Sequence, residues 1–143
     1  MVQTRTKAVN EKTVDYRSGS RNQVSDEAMA AAGLTAFFSI AQEWGLTTDQ
    51  QIILLGSPGR TTFFQWKRSL RGNLSRDTLD RLSYILGIYK DLHILFSDDH
   101  VKQWLTNTND NPLFNHQSPM AYMLEGSLTA LADVRRYLDW ARG

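Results

Sequence analysis

The sequence predicts an all-α protein, a helix-turn-helix bundle followed by a small C-terminal helical domain. Three observations predict it. Apolar residues recur at helical spacing through most of the chain after Ser25. Glycine, serine and Ser-Pro punctuation falls where helices of ordinary length would stop and start. No stretch alternates apolar and polar residues as a half-buried strand would, and there is no internal repeat or low-complexity block.

Taken in order, residues 1–25 are polar and without sustained period, and read as a flexible basic tail. The first helix opens at Ser25, followed by two acids, and Leu34, Phe37, Phe38 and Ala41 form its apolar stripe before Gly45 ends it. "TDQQIILLG" reads as a short second helix, with Thr48 and Gln51 in capping-box register and Gly56 as stop. The third, "SPGRTTFFQWKRSLRG", has Ser57 and Pro58 to start it and Gly72 to end it. Ser75 caps a long fourth helix whose apolar face is Leu79, Leu82, Ile85 and Leu86. "SDDHVKQWL" is a further short helix and "TNTNDNPLFNHQ" a turn-rich loop. Ser118 with Pro119, and Gly126 with Ser127, bracket the last two helices, and Leu128, Leu131, Val134 and Leu138 line the final one. The expected divisions are 1–25 as tail, 26–97 as a DNA-binding and dimerisation domain, and 98–143 as the C-terminal domain. No Gly/Ser/Pro-rich spacer separates the last two, so they are expected to pack together.

Composition excludes several classes. The chain has 143 residues, 41% hydrophobic and 22% charged, and no cysteine, which removes disulfides, thiol catalysis and thiolate metal sites. No apolar run suffices for a membrane span and no signal segment follows the first methionine, so a cytoplasmic location is expected. The net charge of +1 conceals a segment, 50–76, with five basic residues and no acid, while 26–49 has four acids and no Lys or Arg. A local anion-binding surface follows from that contrast. His93, His100 and His116 are not spaced as a helical metal pair, "GSPGR" lacks the P-loop lysine, and no serine lies in a nucleophile-elbow pattern. The reading is of no catalytic residue, no metal site and no cofactor.

"RTTFFQWKRSL", residues 60–70, sets three aromatics among three basic side chains. On a wheel of about 100° per residue, Phe63, Trp66 and Leu70 share one narrow arc and form the core side. Thr61, Phe64, Gln65, Arg68 and Arg71 lie on the opposite half, flanked by Arg60 and Lys67. Thr61, Thr62, Phe64, Gln65 and Arg68 are the candidates for base edges: Arg for guanine, Gln for adenine, Phe or a Thr methyl for the thymine methyl. Arg60, Lys67 and Arg71 are placed for phosphates. A short helix and a glycine-bearing turn precede this segment, the helix-turn-helix arrangement whose second helix enters the major groove. The same pattern also occurs as a solvated face on all-α proteins that bind no DNA, with Phe64 folded back under the preceding helix.

The ordered blocks "LLGSPGRTTFFQWKR", "LSRDTLDRLSYILGIYKDLHILF", "WL" and "SPMAYMLEGSLTALADVRRYLDWA" resemble the Xre/MbcA/ParS antitoxins of bacterial toxin–antitoxin operons, over roughly residues 34–142. One departure is the loop before Ser118, where Asn115 and His116 stand in place of the glycines common in the family. The resemblance implies an antitoxin that occludes the active site of a RES-domain toxin consuming NAD and represses its own operon. It implies that Arg135, Arg136, Tyr137, Trp140 and Arg142 lie at the toxin interface. The residues alone allow another reading, in which Arg135 and Arg136 form a solvated face with Asp139 and Trp140 caps the core. The alternative function is a stand-alone dimeric DNA-binding regulator. Because one recognition helix covers a half-site, a homodimer is expected, with the apolar stretch Leu79–Leu95 as its interface.

Overall fold

The computed structural model describes the backbone of residues 11–143 and the side chains from residue 26 onward. Among the described residues seven α-helices follow one another: α1 (Glu11–Trp44), α2 (Thr48–Leu54), α3 (Arg60–Ser69), α4 (Arg76–Leu95), α5 (Asp98–Thr106), α6 (Pro119–Met123) and α7 (Leu128–Arg142), with a 3-10 turn at Pro112–Phe114 between α5 and α6. No strand occurs among the described residues. No described helix is long and apolar enough to cross a membrane.

The helix starts are set by short-range chemistry. Ser75, Ser118 and Ser127 each accept a backbone N–H three residues on, satisfying an otherwise orphaned donor, and Pro119 takes the first helical position. The capping box of α2 lies one residue earlier than the sequence suggests. Thr47 Oγ1 accepts from Gln50 N at 3.1 Å and Gln50 Oε1 from Thr47 N at 2.9 Å. Residues 1–10 of the expected tail lie outside the described residues, but 11–25 are helical, continuous with α1. Nucleation is the costly step, so a helix anchored by Leu34, Phe37, Ile40 and Trp44 can extend backwards one hydrogen bond at a time through polar residues. The start of α3 also differs. Gly56 (φ 94°) and Ser57 (φ 61°) are both left-handed, and the helix begins only at Arg60 with Gly59 as N-cap. Ser57 precedes a proline, which disfavours the right-handed helical region there.

α4 is the axis of the molecule. It lies against α1 on one side and along α7 on the other, and one continuous core runs from Leu34 and Phe37 through Ile85, Ile88 and Leu92 to Leu131 and Leu138. Part of the apolar stretch expected at a dimer interface is buried within the chain, while Leu79, Tyr84, Leu86, Tyr89 and Leu95 are half-buried. Leu82, Ile85, Ile88 and Leu92 are buried, and of the stretch Leu79–Leu95 only Ile94, 55% exposed, is a strongly exposed large hydrophobic residue. Arg81 adds a polar tie. It is buried, pairs through Nε with Asp77 at 2.7 Å, and donates to Ile53 O at 3.4 Å and to Gly126 O at 2.9 Å. One guanidinium therefore joins the end of α2 to the turn before α7.

Candidate DNA- and partner-binding surfaces

α3 buries Phe63 and Trp66, with Leu70 half-buried at its left-handed C-cap, so the core arc read from the wheel is the one observed. Arg60, Thr61, Thr62, Phe64, Gln65, Lys67, Arg68 and Arg71 are all exposed. Phe64 does not fold under α2. It is 40% exposed and stands edge-on to Phe63 at 5.1 Å, with the Arg60 guanidinium 5.7 Å above its ring. Arg60 in turn pairs with Asp49 of α2 at 2.9 Å, a partner the sequence reading missed because eleven residues separate the two. Gly72 does not end α3; Leu70 does. Glycine is needed at 72 for a different reason, since a Cβ there would sit 2.5 Å from Trp66 Nε1. The indole that fixes the base of α3 fills that space.

At the other end, the five residues assigned to the terminal segment do not form one surface. Arg135 and Arg142 face α4. Arg142 Nε lies 2.8 Å from Asp91 Oδ1, and Arg135 Nε lies 3.7 Å from Asp91 Oδ2 while donating to both oxygens of Asp139 at 2.9 and 3.0 Å. The Arg135 guanidinium crosses α4 over Gly87, where any Cβ would collide with it. Asp91 itself is 1% exposed. Burial, reinforced by the nearby Asp139 carboxyl, pushes Asp91 up to about 6. Hydrogen bonding from Asp91, together with Arg135, holds Asp139 below the usual carboxylate range. The two carboxyls are thus shifted in opposite directions, with Arg135 and Arg142 beside them.

Arg136, Tyr137 and Trp140 lie on the far side of α7. Trp140 is 77% exposed, so it does not cap the core. Its ring is 6.2 Å from Tyr137, which stacks on Trp104 of α5 at 6.5 Å and 12°. Phe114 of the 3-10 turn packs edge-on beneath both Trp104 and Tyr137, at 5.9 and 5.8 Å. Arg136 pairs with Asp133 at 3.2 Å, and Asp133 also accepts from the Tyr122 hydroxyl at 2.8 Å, which pushes Tyr122 up to about 12. Asn115 (φ 48°) and His116 (φ 66°) are both left-handed, the backbone region that glycine adopts at no steric cost. At the head of α5, His93 pairs with Asp98 at 2.9 Å and His100 with the Ser97 hydroxyl at 2.7 Å.

The fold and these surfaces define a class: a helix-turn-helix protein with a helical C-terminal domain built on the same core. The comparisons give the family. Residues 23–87 match the model of the antitoxin Xre-like helix-turn-helix domain, and residues 91–143 that of the antitoxin Xre/MbcA/ParS C-terminal toxin-binding domain. The chain belongs to the Xre/MbcA/ParS-type antitoxins. It is also similar to the uncharacterized protein y4oB of Sinorhizobium fredii (strain NBRC 101917 / NGR234), 48% identical over 120 residues that cover 83% of this chain and 91% of the relative. The two family matches meet within the unbroken helix α4.

Proposed function

We propose that this antitoxin neutralises a RES-domain toxin that consumes NAD, by covering its active site with the C-terminal domain, and represses the shared operon as a homodimer bound through α3. What carries the reading is the succession, on one core, of an outward basic helix in a helix-turn-helix and a domain of the toxin-binding family. In this reading residues 26–97 bind DNA and dimerise, and 98–143 bind toxin in the cytoplasm. Thr61, Thr62, Phe64, Gln65 and Arg68 read bases; Arg60, Lys67 and Arg71 hold phosphates. Arg135, Arg136, Tyr137, Trp140 and Arg142 belong to the segment that engages or supports the toxin contact. No residue of the chain is assigned a catalytic role.

Operator binding should fall steeply with salt, since each neutralised phosphate releases counterions. Arg68→Ala should relax sequence preference by about 1–3 kcal/mol at one base pair, whereas Arg71→Ala should weaken all sequences alike. Gel shifts on the protein's own promoter across a salt series test this, and salt-insensitive binding would refute it. The toxin half is tested by co-expression with the neighbouring toxin gene, following growth and cellular NAD. Arrest that persists with the full chain present refutes neutralisation; arrest with unchanged NAD refutes the assignment of the toxin.

A further inference from the structure

We propose that the surface holding the toxin is the aromatic shelf of Trp104, Tyr137 and Trp140 with Arg136 at its rim, and that Arg135 and Arg142 position α7 without touching the partner. The proposal rests on the antitoxin reading above. On a wheel of roughly 100° per residue, Trp140 and Arg136 lie more than a quarter turn from Arg135, on the opposite side of α7 from α4. The two arginines of the α4 side are already committed. Withdrawing either toward a partner would strip a cation from Asp91, a carboxylate that is 1% exposed. A charge left buried without its counter-ion is costly. The outer side carries the reverse balance. Trp140 leaves 77% of its surface in water, and the Arg136 side chain is 75% exposed with a single aspartate contact.

The shelf is also prepared for binding. Tyr137 is stacked on Trp104, and Trp104 is held by Phe96 at 6.1 Å and Phe114 at 5.9 Å. Tyr137 and Trp104 were ordered on folding, so docking onto them loses little side-chain entropy. Trp, Tyr and Arg are the residue types that dominate binding energy in protein interfaces. The partner is a folded toxin presenting an apolar slot for the indole and a carboxylate opposite Arg136. It is assigned as toxin because every shelf residue falls within 91–143, the match to the toxin-binding family. Trp104 joins the site from α5, and the sequence of α7 alone does not reveal it.

The test uses the full chain and the purified product of the adjacent toxin gene, titrated by calorimetry. Trp140→Ala should weaken binding about 30-fold or more, and Trp140→Phe by less. Both should leave operator binding unchanged, since the side chain is exposed and lies outside the helix-turn-helix. Arg142→Gln should lower the melting temperature yet hold toxin affinity within about 3-fold below the transition. An unchanged affinity for Trp140→Ala overturns the proposal, as does Arg142→Gln losing affinity as strongly while folded. If Trp140→Ala instead lowers the mass of the free protein in light scattering, the shelf joins copies of this chain and the proposal fails. A wild-type chain that binds no toxin removes the antitoxin reading, and this inference with it; the other outcomes bear on the shelf alone.

Discussion

Replacing Arg81 with Met keeps the length and apolar stem of the side chain and removes the guanidinium. Three contacts go: the 2.7 Å pair with Asp77, the 2.9 Å bond to Gly126 O and the long 3.4 Å bond to Ile53 O. Hydrogen bonds from a charged donor contribute about 1.5–3 kcal/mol each, and the long one falls below that range. The Asp77 side chain is 48% exposed, so its freed charge recovers water, and the large penalty of a stranded buried ion does not apply. The loss centres on the carbonyls of Gly126 and Ile53, for about 3 kcal/mol in all. At about 3 °C per kcal/mol for a chain of this size, the melting temperature should drop by about 10 °C. Circular dichroism at 222 nm measures it, and operator binding should persist below the transition. Because α4 is shared by both halves, melting should remain a single transition. A drop under about 3 °C, or two separated transitions, would refute the idea that Arg81 ties the halves into one cooperative unit.

Other outcomes follow from particular contacts. Gly72→Ala should cost about 1–3 kcal/mol and weaken operator binding at a given temperature, because the new Cβ meets the rigid indole of Trp66; a melt and a gel shift check both. Deletion after Leu138 removes Arg142, Asp139 and Trp140 together, leaving Asp91 with Arg135 alone, and should cost about 2 kcal/mol of stability as well as toxin binding. Operator binding by the truncated chain should weaken near its lowered melting point, which a gel shift across temperatures reads. The pH dependence follows from Asp91. Its pKa is raised to about 6 in the folded chain, so its favourable contribution is complete below the ordinary carboxylate pKa and is lost as pH rises through about 6. Asp139 is shifted down and acts oppositely, losing its contribution as pH falls through its lowered pKa. Between about pH 4 and 6 the folded pair therefore holds more protons than the unfolded chain. Urea midpoints of the wild type should decline over that window relative to Asp91→Asn; parallel curves would count against a raised Asp91.

Sequence alone determined the features that one or two turns of chain decide. Ser75, Ser118 and Ser127 cap helices because their hydroxyls reach a backbone N–H three residues away, and Gly45, Gly56 and Gly126 adopt left-handed angles at helix ends. The inward Phe63 and Trp66 and the outward Phe64, Gln65 and Arg68 of α3 follow from helical periodicity, and the ordered blocks identify the family. Capping register and helix ends were only partly legible: Thr47 and Thr48 offer the same hydroxyl, and the left-handed turn at Ser57 shifts the start of α3. The tertiary structure decided which charges are spent internally. Arg135, Arg136 and Arg142 are one chemical type within eight residues, yet two of them neutralise Asp91, which lies more than forty residues earlier, and one faces water. Likewise Gly72 and Gly87 read as turn and helix residues until the indole of Trp66 and the guanidinium of Arg135 are seen to occupy the space their missing side chains leave. Periodicity ranks the faces of one helix, but a buried charge is defined by what the neighbouring helices bring to it, and only the packing of α4 against α7 supplies that.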